Sequence, residues 1–286
     1  MSKLKYFFQF VGIVLLFCIF KLVGIKFASS LSGKLLTIIG PLFRSKKICD
    51  ENLSTAFPEL ENHKKANILK EMWFNYGRML AEYVFINDFR NSKLSNNIII
   101  ENQIELEKIK KSLNPVIFIS GHFNNFELMA MQLEKSGINL AALYRPLNNP
   151  FLNPIMEKIR TKYICKKQVK KGISGTKELL KHFKNGSSVA LMIDQRVSEG
   201  IKCSLFNKQA FTTTIPAQFA KKYDAKIVPV YVERLKKNNF KIKIYKSLHF
   251  SKNDSLEKIT LELNKILENM IIKNPSQWIW THNRWK

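Results

Sequence analysis

The sequence predicts an α/β fold, in which a mainly parallel central sheet is flanked by helices and preceded by an N-terminal membrane-associated helix. Short apolar runs bounded by turn residues alternate with longer segments whose apolar residues recur every three or four positions. The segment at 6–20 is almost wholly apolar. No internal repeat divides the chain, and its 286 residues suit one large domain with an appendage.

The apolar run at 6–20 is interrupted only by Gln9. A helix carried on to Ile25 would reach about 30 Å, enough to cross a hydrocarbon core, provided that Lys21 extends its ammonium group to the headgroups. Basic residues are denser after the run than before it, which predicts a cytoplasmic body. We expect residues 1–28 to form a membrane anchor and residues 29–286 to form the folded domain. A cleaved signal peptide and an interfacial or buried helix are the alternatives.

The body begins with helical sequence and then alternates strands with helices. The apolar runs predict strands at 98–100, 115–120, 138–144, 188–193, 225–232 and 240–244. The helical patterns lie at 61–90, 103–112, after 126, and at 151–163, 174–184 and 216–222. A capping box at 254–257 opens a last helix, which Asn274-Pro275 ends. Strands interleaved with helices favour a parallel sheet between helical layers.

The net charge and the sequence motifs favour some classes of function and disfavour others. Lys and Arg number 47 against 22 Asp and Glu, a net charge of +25, which indicates a polyanionic partner such as nucleic acid, an anionic membrane, a phosphorylated lipid or an acidic protein. Four scattered cysteines without C-x-x-C or zinc spacing predict neither a disulfide framework nor a metal site. The chain lacks G-x-G-x-x-G, Walker A, G-x-S-x-G and H-E-x-x-H motifs, which disfavours common nucleotide-binding enzymes, serine hydrolases and zincins.

The segment SGHFNNFE, residues 120–127, is the strongest candidate for chemistry. His122 follows a buried strand and a glycine, at the sheet edge where ligands bind in α/β folds. The N-terminus of the following helix disfavours imidazolium, so we expect His122 to be neutral and able to accept a proton. If His122 lies in the turn before the helix, Glu127 can reach back to its ring, fix its tautomer and stabilise its cation. The alternative is a capping histidine beside a surface glutamate.

Five segments together resemble a known family. His122 and Glu127 match the H-x4-D/E motif of the glycerolipid and lipid A acyltransferases. Four others resemble, in family order, motifs of the lipid A late acyltransferases of the lauroyl and myristoyl type: NLSTAFPE at 52–59, YRPLNNP at 144–150, DQ at 194–195 and WIWTHNRWK at 278–286. The chain departs from the family pattern at LFN, 205–207, and at Asn283, and these changes bear on acceptor or acyl preference.

The resemblance implies a glycerolipid-acyltransferase-like fold and transfer of an acyl chain from an acyl-carrier-protein thioester to a lipid A precursor. The acceptor hydroxyl belongs to a 3-hydroxyacyl chain, so the product is an acyloxyacyl group of lipopolysaccharide. His122 is then the general base and Glu127 its partner, with no cofactor and no covalent acyl-enzyme. The implied partners are the acyl carrier protein, an anionic glycolipid and the inner membrane, with the catalytic domain on its cytoplasmic face, and no nucleic acid.

Four further residues are candidates for substrate binding. Arg145, at a strand end, is a candidate donor to the thioester oxyanion, with a surface ion pair as the alternative. Asp194 follows a strand and would orient Arg145 or the substrate, or form a structural turn, and Gln195 lies beside it. Arg284, among the C-terminal tryptophans, would bind lipid phosphate or a sugar carboxylate. Those tryptophans could equally be core or a membrane-interface belt.

Three other functions compete with this prediction. The first is acyl transfer to another membrane glycolipid or to a glycerophospholipid. The second is a membrane-tethered nucleic-acid-binding protein, although the lysines are spread along the chain and no helix-turn-helix or RNA-binding signature is present. The third is a non-catalytic lipid-binding scaffold, which would not need the His122–Glu127 pair.

Overall fold

The structure, a computed structural model, describes residues 3–43, 46–112 and 114–286. Its α-helices are α1 Lys3–Phe43, α2 Lys46–Ala56, α3 Asn62–Glu82, α4 Ile86–Asn91, α5 Gln103–Ser112, α6 Glu127–Lys135, α7 Leu152–Ile159, α8 Ile173–Lys184, α9 Ile215–Tyr223 and α10 Leu256–Lys273. Its strands are β1 Ile98–Glu101, β2 Ile117–Ser120, β3 Leu140–Tyr144, β4 Lys167–Lys170, β5 Ser188–Met192, β6 Ile201–Leu205, β7 Lys208–Thr212, β8 Ile227–Arg234 and β9 Phe240–Ile244.

The central sheet has seven strands in the order β1-β9-β8-β2-β5-β3-β4. Every neighbouring pair is parallel except β8 and β9, which are antiparallel. β6 and β7 form a separate antiparallel hairpin. The predicted α/β architecture with a mainly parallel sheet is therefore confirmed. Because β2 lies in the middle of this sheet, the loop that follows it opens at the centre of the carboxyl edge.

Apolar layers cover both faces of the sheet, as expected for buried parallel strands. On β2, Ile117 and Ile119 face the layer that contains Leu179 of α8, together with side chains of α9 and α10. Phe118 faces the opposite layer, which contains Leu128 of α6 and side chains of α5 and α7. The two layers hold β2 rigidly, so the residues at its carboxyl end have fixed positions.

The helix α1 is long, apolar and exposed on its outer side. It is long and apolar enough to cross a membrane, with a mean hydropathy of 2.4 in its best window. Its backbone is non-helical at Gly24, and the predicted boundary at residue 28 falls inside the helix. Large apolar side chains that point outward along it are Leu4, Phe7, Phe8, Leu15, Ile19, Leu22, Val23, Phe27, Leu31, Leu35, Ile38 and Leu42.

The inner side of α1 packs on the folded body. Phe20 is buried in the layer that contains α6 and α7. The Lys21 ammonium group lies 2.7 Å from a carboxylate oxygen of Asp88. A membrane crossing to Ile25 is expected only if Lys21 extends to the headgroups, and in the structure its ammonium group pairs with a carboxylate of α4. The division into an anchor and a catalytic domain stays a prediction.

Three elements differ from the sequence predictions. The edge strand β4, with the sequence KQVK, carries two lysines and therefore lacks an apolar run. The β6–β7 hairpin was not predicted, and its turn is made by Phe206 and Asn207, both with positive φ, as a type I′ turn requires. The N-cap of α10 is Ser255, whose hydroxyl accepts from the Lys258 N–H at 3.0 Å, one residue after the predicted capping residue.

A buried polar network joins α1, α3 and β8. Both carboxylate oxygens of Glu82 accept hydrogen bonds from the Arg234 guanidinium, at 2.6 and 2.9 Å. Asn238 donates to the same carboxylate at 2.9 Å, Ser29 of α1 at 3.2 Å, and Asn125 of the loop after β2 at 3.4 Å. Glu82 is wholly buried. The network therefore ties the long apolar helix to the loop that contains the candidate catalytic histidine.

Candidate active site

The register of two central strands brings His122 and Asp194 together. β2 and β5 are parallel neighbours in which Ser120 pairs with Met192. The pairing continues one residue further, since the Ile193 N–H donates to the Ser120 carbonyl at 2.9 Å. His122 and Asp194 each lie two residues beyond the paired Ser120 and Met192. They therefore meet at the carboxyl edge of the sheet, where α/β proteins bind ligands.

The Asp194 carboxylate holds His122 through two contacts. One oxygen lies 2.7 Å from the ring Nδ1, and the other accepts the backbone N–H of His122 at 2.8 Å. The second oxygen also accepts from the Trp278 indole at 2.8 Å. An ionised carboxylate only accepts hydrogen bonds, so Nδ1 carries the hydrogen and Nε2 keeps its lone pair. The amide nitrogen of Gln195 lies 3.5 Å from that Nε2, and its role in substrate binding stays a prediction.

Electrostatics make His122 a stronger base than a free histidine. Burial lowers its pKa, but the charge and hydrogen bond of Asp194, together with the charge of Glu127, outweigh burial and raise the pKa above its ordinary value. Burial likewise raises the pKa of Asp194, but the His122 charge and the hydrogen bonds from His122 and Trp278 bring it down to about 2. The expectation that the helix N-terminus keeps the His122 pKa low is wrong, because α6 begins five residues later and the carboxylates dominate.

Local sequence around His122 explains how the ring is placed. Gly121 has no Cβ, and one at this position would lie 2.9 Å from the Phe123 ring and 3.3 Å from the Asp194 Cβ. Glycine therefore permits the close approach of the two loops. The Phe126 ring packs edge-on against the imidazole with centroids 4.7 Å apart. The His122 side chain stays 20% exposed, so the ring is not sealed inside the protein.

The carboxylate at the ring is Asp194, and this corrects the predicted hydrogen bond between Glu127 and His122. Glu127 is the first residue of α6, and its Oε1 accepts two hydrogen bonds from Arg160, at 3.0 and 2.8 Å. Its side chain is therefore held away from Nδ1, and its influence on His122 is through charge. A catalytic role for Glu127 stays a prediction.

Arg160, which binds Glu127, is a candidate site residue that the sequence did not predict. Burial lowers its pKa, but the charges of Glu127 and Tyr83 and their hydrogen bonds outweigh burial and raise it. Its guanidinium lies 5.4 Å from the centroid of the Tyr144 ring. Its buried Nη1 has no hydrogen-bond partner within the described ranges. Neither periodicity nor a motif singles out this residue, because only the fold brings it to Glu127.

Arg145 directly follows β3 and is exposed, so it lies at the predicted edge of the sheet. Since the Asp194 carboxylate is held by His122 and Trp278, the prediction that Asp194 orients Arg145 is corrected. The loop beyond Arg145 reaches α1, where Asn149 donates to the Tyr6 carbonyl at 2.8 Å. The start of the long apolar helix is therefore tied to the edge of the sheet that carries the site.

Arg284 is wholly buried, and this corrects its prediction as a ligand of lipid phosphate or sugar carboxylate. Its guanidinium donates to the Phe211 carbonyl and to the Thr212 hydroxyl, both at 2.7 Å. Burial lowers the pKa of Arg284 to about 10. The side chain therefore fastens the C-terminal segment to the β6–β7 hairpin, and no lipid can reach it.

The family-like segments at 52–59 and 278–286 pack together and hold the loop after β5 in place. Asn52 of α2 donates to the carbonyls of Trp280 at 2.8 Å and His282 at 2.6 Å. The ring Nε2 of His282 accepts the backbone N–H of Arg196, close after Asp194, at 2.9 Å. Trp280 is wholly buried, so this tryptophan is core rather than an interface belt. The C-terminal segment thus fixes the loop that carries Asp194.

A metal-binding cluster is not formed by the His, Cys, Asp and Glu side chains of the part of the chain that the structure describes. The His122–Asp194 pair is a candidate for acid–base chemistry on its own geometry. Such a pair can take a proton from a hydroxyl at Nε2 while the carboxylate stabilises the imidazolium.

The chain is similar in sequence to known proteins. The model of the bacterial lipid A biosynthesis acyltransferase family matches residues 1–286. The lipid A biosynthesis lauroyltransferase of Escherichia coli (strain K12) is 26% identical over 258 residues, which cover 85% of this chain and 79% of that protein. The solved 1-acyl-sn-glycerophosphate acyltransferase of Thermotoga maritima aligns with a TM-score of 0.42 and 12% identity, over 89% of this chain and 98% of that chain. Because the family model spans the whole chain, this protein belongs to the bacterial lipid A biosynthesis acyltransferases and is an enzyme of acyl transfer.

Proposed function

We propose that this acyltransferase moves a fatty acyl chain from an acyl-carrier-protein thioester to a hydroxyl of a lipid A precursor, with His122 as the general base. The observation that carries the proposal is the His122–Asp194 pair at the carboxyl edge of the sheet, with a 2.7 Å contact at Nδ1 and a partly exposed ring. An alcohol is a poor nucleophile at neutral pH, and a positioned base contributes about 10²–10⁴-fold to its reaction. The acceptor hydroxyl is that of a 3-hydroxyacyl chain, so the product is an acyloxyacyl group.

The reaction needs no covalent enzyme intermediate. Nε2 of His122 takes the proton of the acceptor hydroxyl as its oxygen forms a bond to the thioester carbonyl carbon. The carbon–sulfur bond then breaks, and the imidazolium returns the proton to the leaving thiolate. Asp194 stabilises the imidazolium between these steps, in the role that the sequence analysis gave to Glu127. Arg145 is the proposed donor to the thioester oxyanion, and Glu127 raises the basicity of the ring through its charge.

The position of α1 supports an acceptor that enters from a membrane. Its exposed apolar side chains would be stabilised by lipid at about 25 cal/mol for each Å² removed from water. The exposed Phe151, at the start of the turn into α7, has its ring centroid 5.7 Å from that of Phe7 and extends the apolar surface toward the site. We place the protein on the inner membrane, with the site on the cytoplasmic side.

The expected result of a transfer assay is one added acyl group. The purified chain in detergent would receive acyl carrier protein loaded with a lauroyl chain and a lipid A precursor with free 3-hydroxyacyl chains. Mass spectrometry should show the precursor heavier by one lauroyl group, and lysophosphatidate offered in parallel should stay unmodified. Acylation of lysophosphatidate in place of the precursor would overturn the proposed acceptor, and equal use of lauroyl-coenzyme A would overturn the proposed donor.

A further inference from the structure

Positive charge is concentrated at the β4 edge of the sheet. Residues 158–184 contain ten lysines and arginines and a single acidic residue, Glu178, so this stretch carries a large part of the net charge of +25. The stretch runs from the end of α7 through the edge strand β4 into α8. A surface of this kind attracts a negatively charged partner over a distance of about 8 Å at physiological ionic strength.

One side of α8 displays this charge to solvent. Gly175, Leu179 and Phe183 form the buried side of the helix. Ile173, Lys177 and Lys181 are exposed and recur every four residues, so they form one ridge on the opposite side. Ile173 is 82% exposed, so a large apolar side chain stands among the lysines at the start of the helix.

The start of α8 lies beside the active site. The backbone N–H of Lys171 donates to the Tyr144 carbonyl at 2.7 Å, which places Lys171 against the end of β3 and next to Arg145. The charge of Lys171 also opposes protonation of His122, although burial and Asp194 have larger effects on that pKa. Lys170 ends β4 and, like Lys171, is exposed, although its ammonium group also lies 3.2 Å from a carboxylate oxygen of Glu157. The basic surface is therefore continuous with the sheet edge that carries the catalytic pair.

The backbone beneath this surface is closely packed. A Cβ on Gly175 would lie 1.7 Å from the Lys170 carbonyl oxygen, so the first turn of α8 packs directly on the end of β4. The Lys177 and Lys181 side chains project from this fixed turn. The backbone from which these lysines project is therefore preorganised for a partner.

We propose that this surface, which we name the α8 basic face (Arg145, Lys170, Lys171, Ile173, Lys177 and Lys181), is the docking site of the acidic acyl carrier protein. The inference rests on the proposed function, since it assigns the place where the donor binds. Carboxylates of the carrier would meet the lysines, and an apolar side chain of the carrier would cover Ile173. Arg145 and Lys171, at one end of the face, would receive the part of the carrier that bears the acyl thioester. This would direct the thioester toward His122.

The location of the face favours a soluble protein over a membrane as its partner. The exposed apolar residues of α1 lie on a helix that packs, from Phe10 to Ala28, on the layer of α6 and α7. α8 packs on the opposite layer of the sheet, which α1 meets further along at Leu36. A bilayer that takes up α1 between Phe10 and Ala28 would therefore lie on the side of the sheet away from the α8 ridge, which leaves Lys177 and Lys181 to a soluble carrier.

The test is reversal of two charges on the ridge, Lys177→Glu together with Lys181→Glu, in the full chain. Neither residue contacts the catalytic pair, so kcat should stay near that of the wild type. We expect KM for lauroyl-acyl carrier protein to rise about tenfold or more, since rim charges govern encounter with a charged partner. The rise should shrink in high salt, because salt screens exposed charges. The KM for the lipid A precursor and the midpoint of thermal unfolding should stay unchanged, because they measure whether the rest of the fold is intact.

The matched control is Lys108→Glu together with Lys111→Glu on α5, which alters net charge equally near the opposite edge of the sheet. An unchanged carrier KM in the α8 variant, or an equal rise in the α5 variant, would overturn the docking site. Loss of binding to anionic phosphatidylglycerol vesicles with an unchanged carrier KM would assign the face to the membrane and overturn it as well. Failure of the wild type to use the acylated carrier would instead reject the proposed function.

Discussion

Replacing His122 with alanine is expected to lower kcat for acyl transfer by about 10²–10⁴-fold, the usual contribution of a positioned general base. The loss should fall on kcat rather than on acceptor KM, because Nε2 stabilises the transition state of proton transfer and contributes little to binding of the acceptor. The mass-spectrometric transfer assay measures both quantities. The fold should persist, since the ring is partly exposed and Asp194 keeps its hydrogen bonds from Trp278 and from the backbone N–H of residue 122.

The chain offers a matched control for this substitution in a second histidine–aspartate pair. His249 Nε2 lies 3.1 Å from Asp224, and both side chains are 56% exposed, outside the site. His249→Ala should therefore leave the rate unchanged. Near-normal turnover by the His122→Ala variant, with lipid product of the same mass, would contradict the role assigned to this imidazole.

The largest effect on stability is expected from Glu82→Gln, at about 3–5 kcal/mol lost from the free energy of unfolding. The substitution keeps the shape of Glu82 but leaves the Arg234 charge buried without its counter-charge, at a pair whose side chains are 0% and 2% exposed. The new amide group would also face donors, because Asn238 and Ser29 donate to the same carboxylate oxygen. Denaturant unfolding in detergent, followed by tryptophan fluorescence, measures the loss.

The double variant Glu82→Met with Arg234→Met is the informative control. Removing both charges leaves neither partner of this ion pair buried alone. The double variant should therefore lose less free energy of unfolding than Glu82→Gln. If the single variant unfolds at the same denaturant concentration as the wild type, the network does not hold α1 and β8 together as described. Since Asn125 also donates to Glu82, the single variant should lose activity as well as stability.

Local patterns predicted most of the fold because they are properties of single elements. β2, β5 and β9 lie where apolar runs predicted strands, and α5 matches its predicted bounds. The edge strand β4 and the hairpin β6–β7 were missed, since polar side chains at an edge remove the apolar run. Their formation depends on neighbours that are distant in sequence.

The catalytic pair shows what sequence spacing leaves open. Spacing indicated that His122 and Asp194 each follow a strand, but pairing them requires the knowledge that β2 and β5 are neighbours in register. Glu127 was chosen as the ring partner because it is close in sequence, while Arg160, which holds it, comes from another part of the fold. Arg284 was placed in the site because arginine suits anions, and only the packing of the hairpin reveals that it is buried.

The pH dependence of acyl transfer by wild type and Asp194→Asn tests the catalytic pair most directly. Asp194 raises the pKa of His122 and burial lowers it, so removing the carboxylate charge should lower that pKa. Transfer needs the neutral ring, so the acidic limb of the kcat profile should move to lower pH while the plateau falls. The exposed Asp224→Asn serves as the control and should change neither. An acidic limb and plateau in Asp194→Asn that match the wild type would contradict the account.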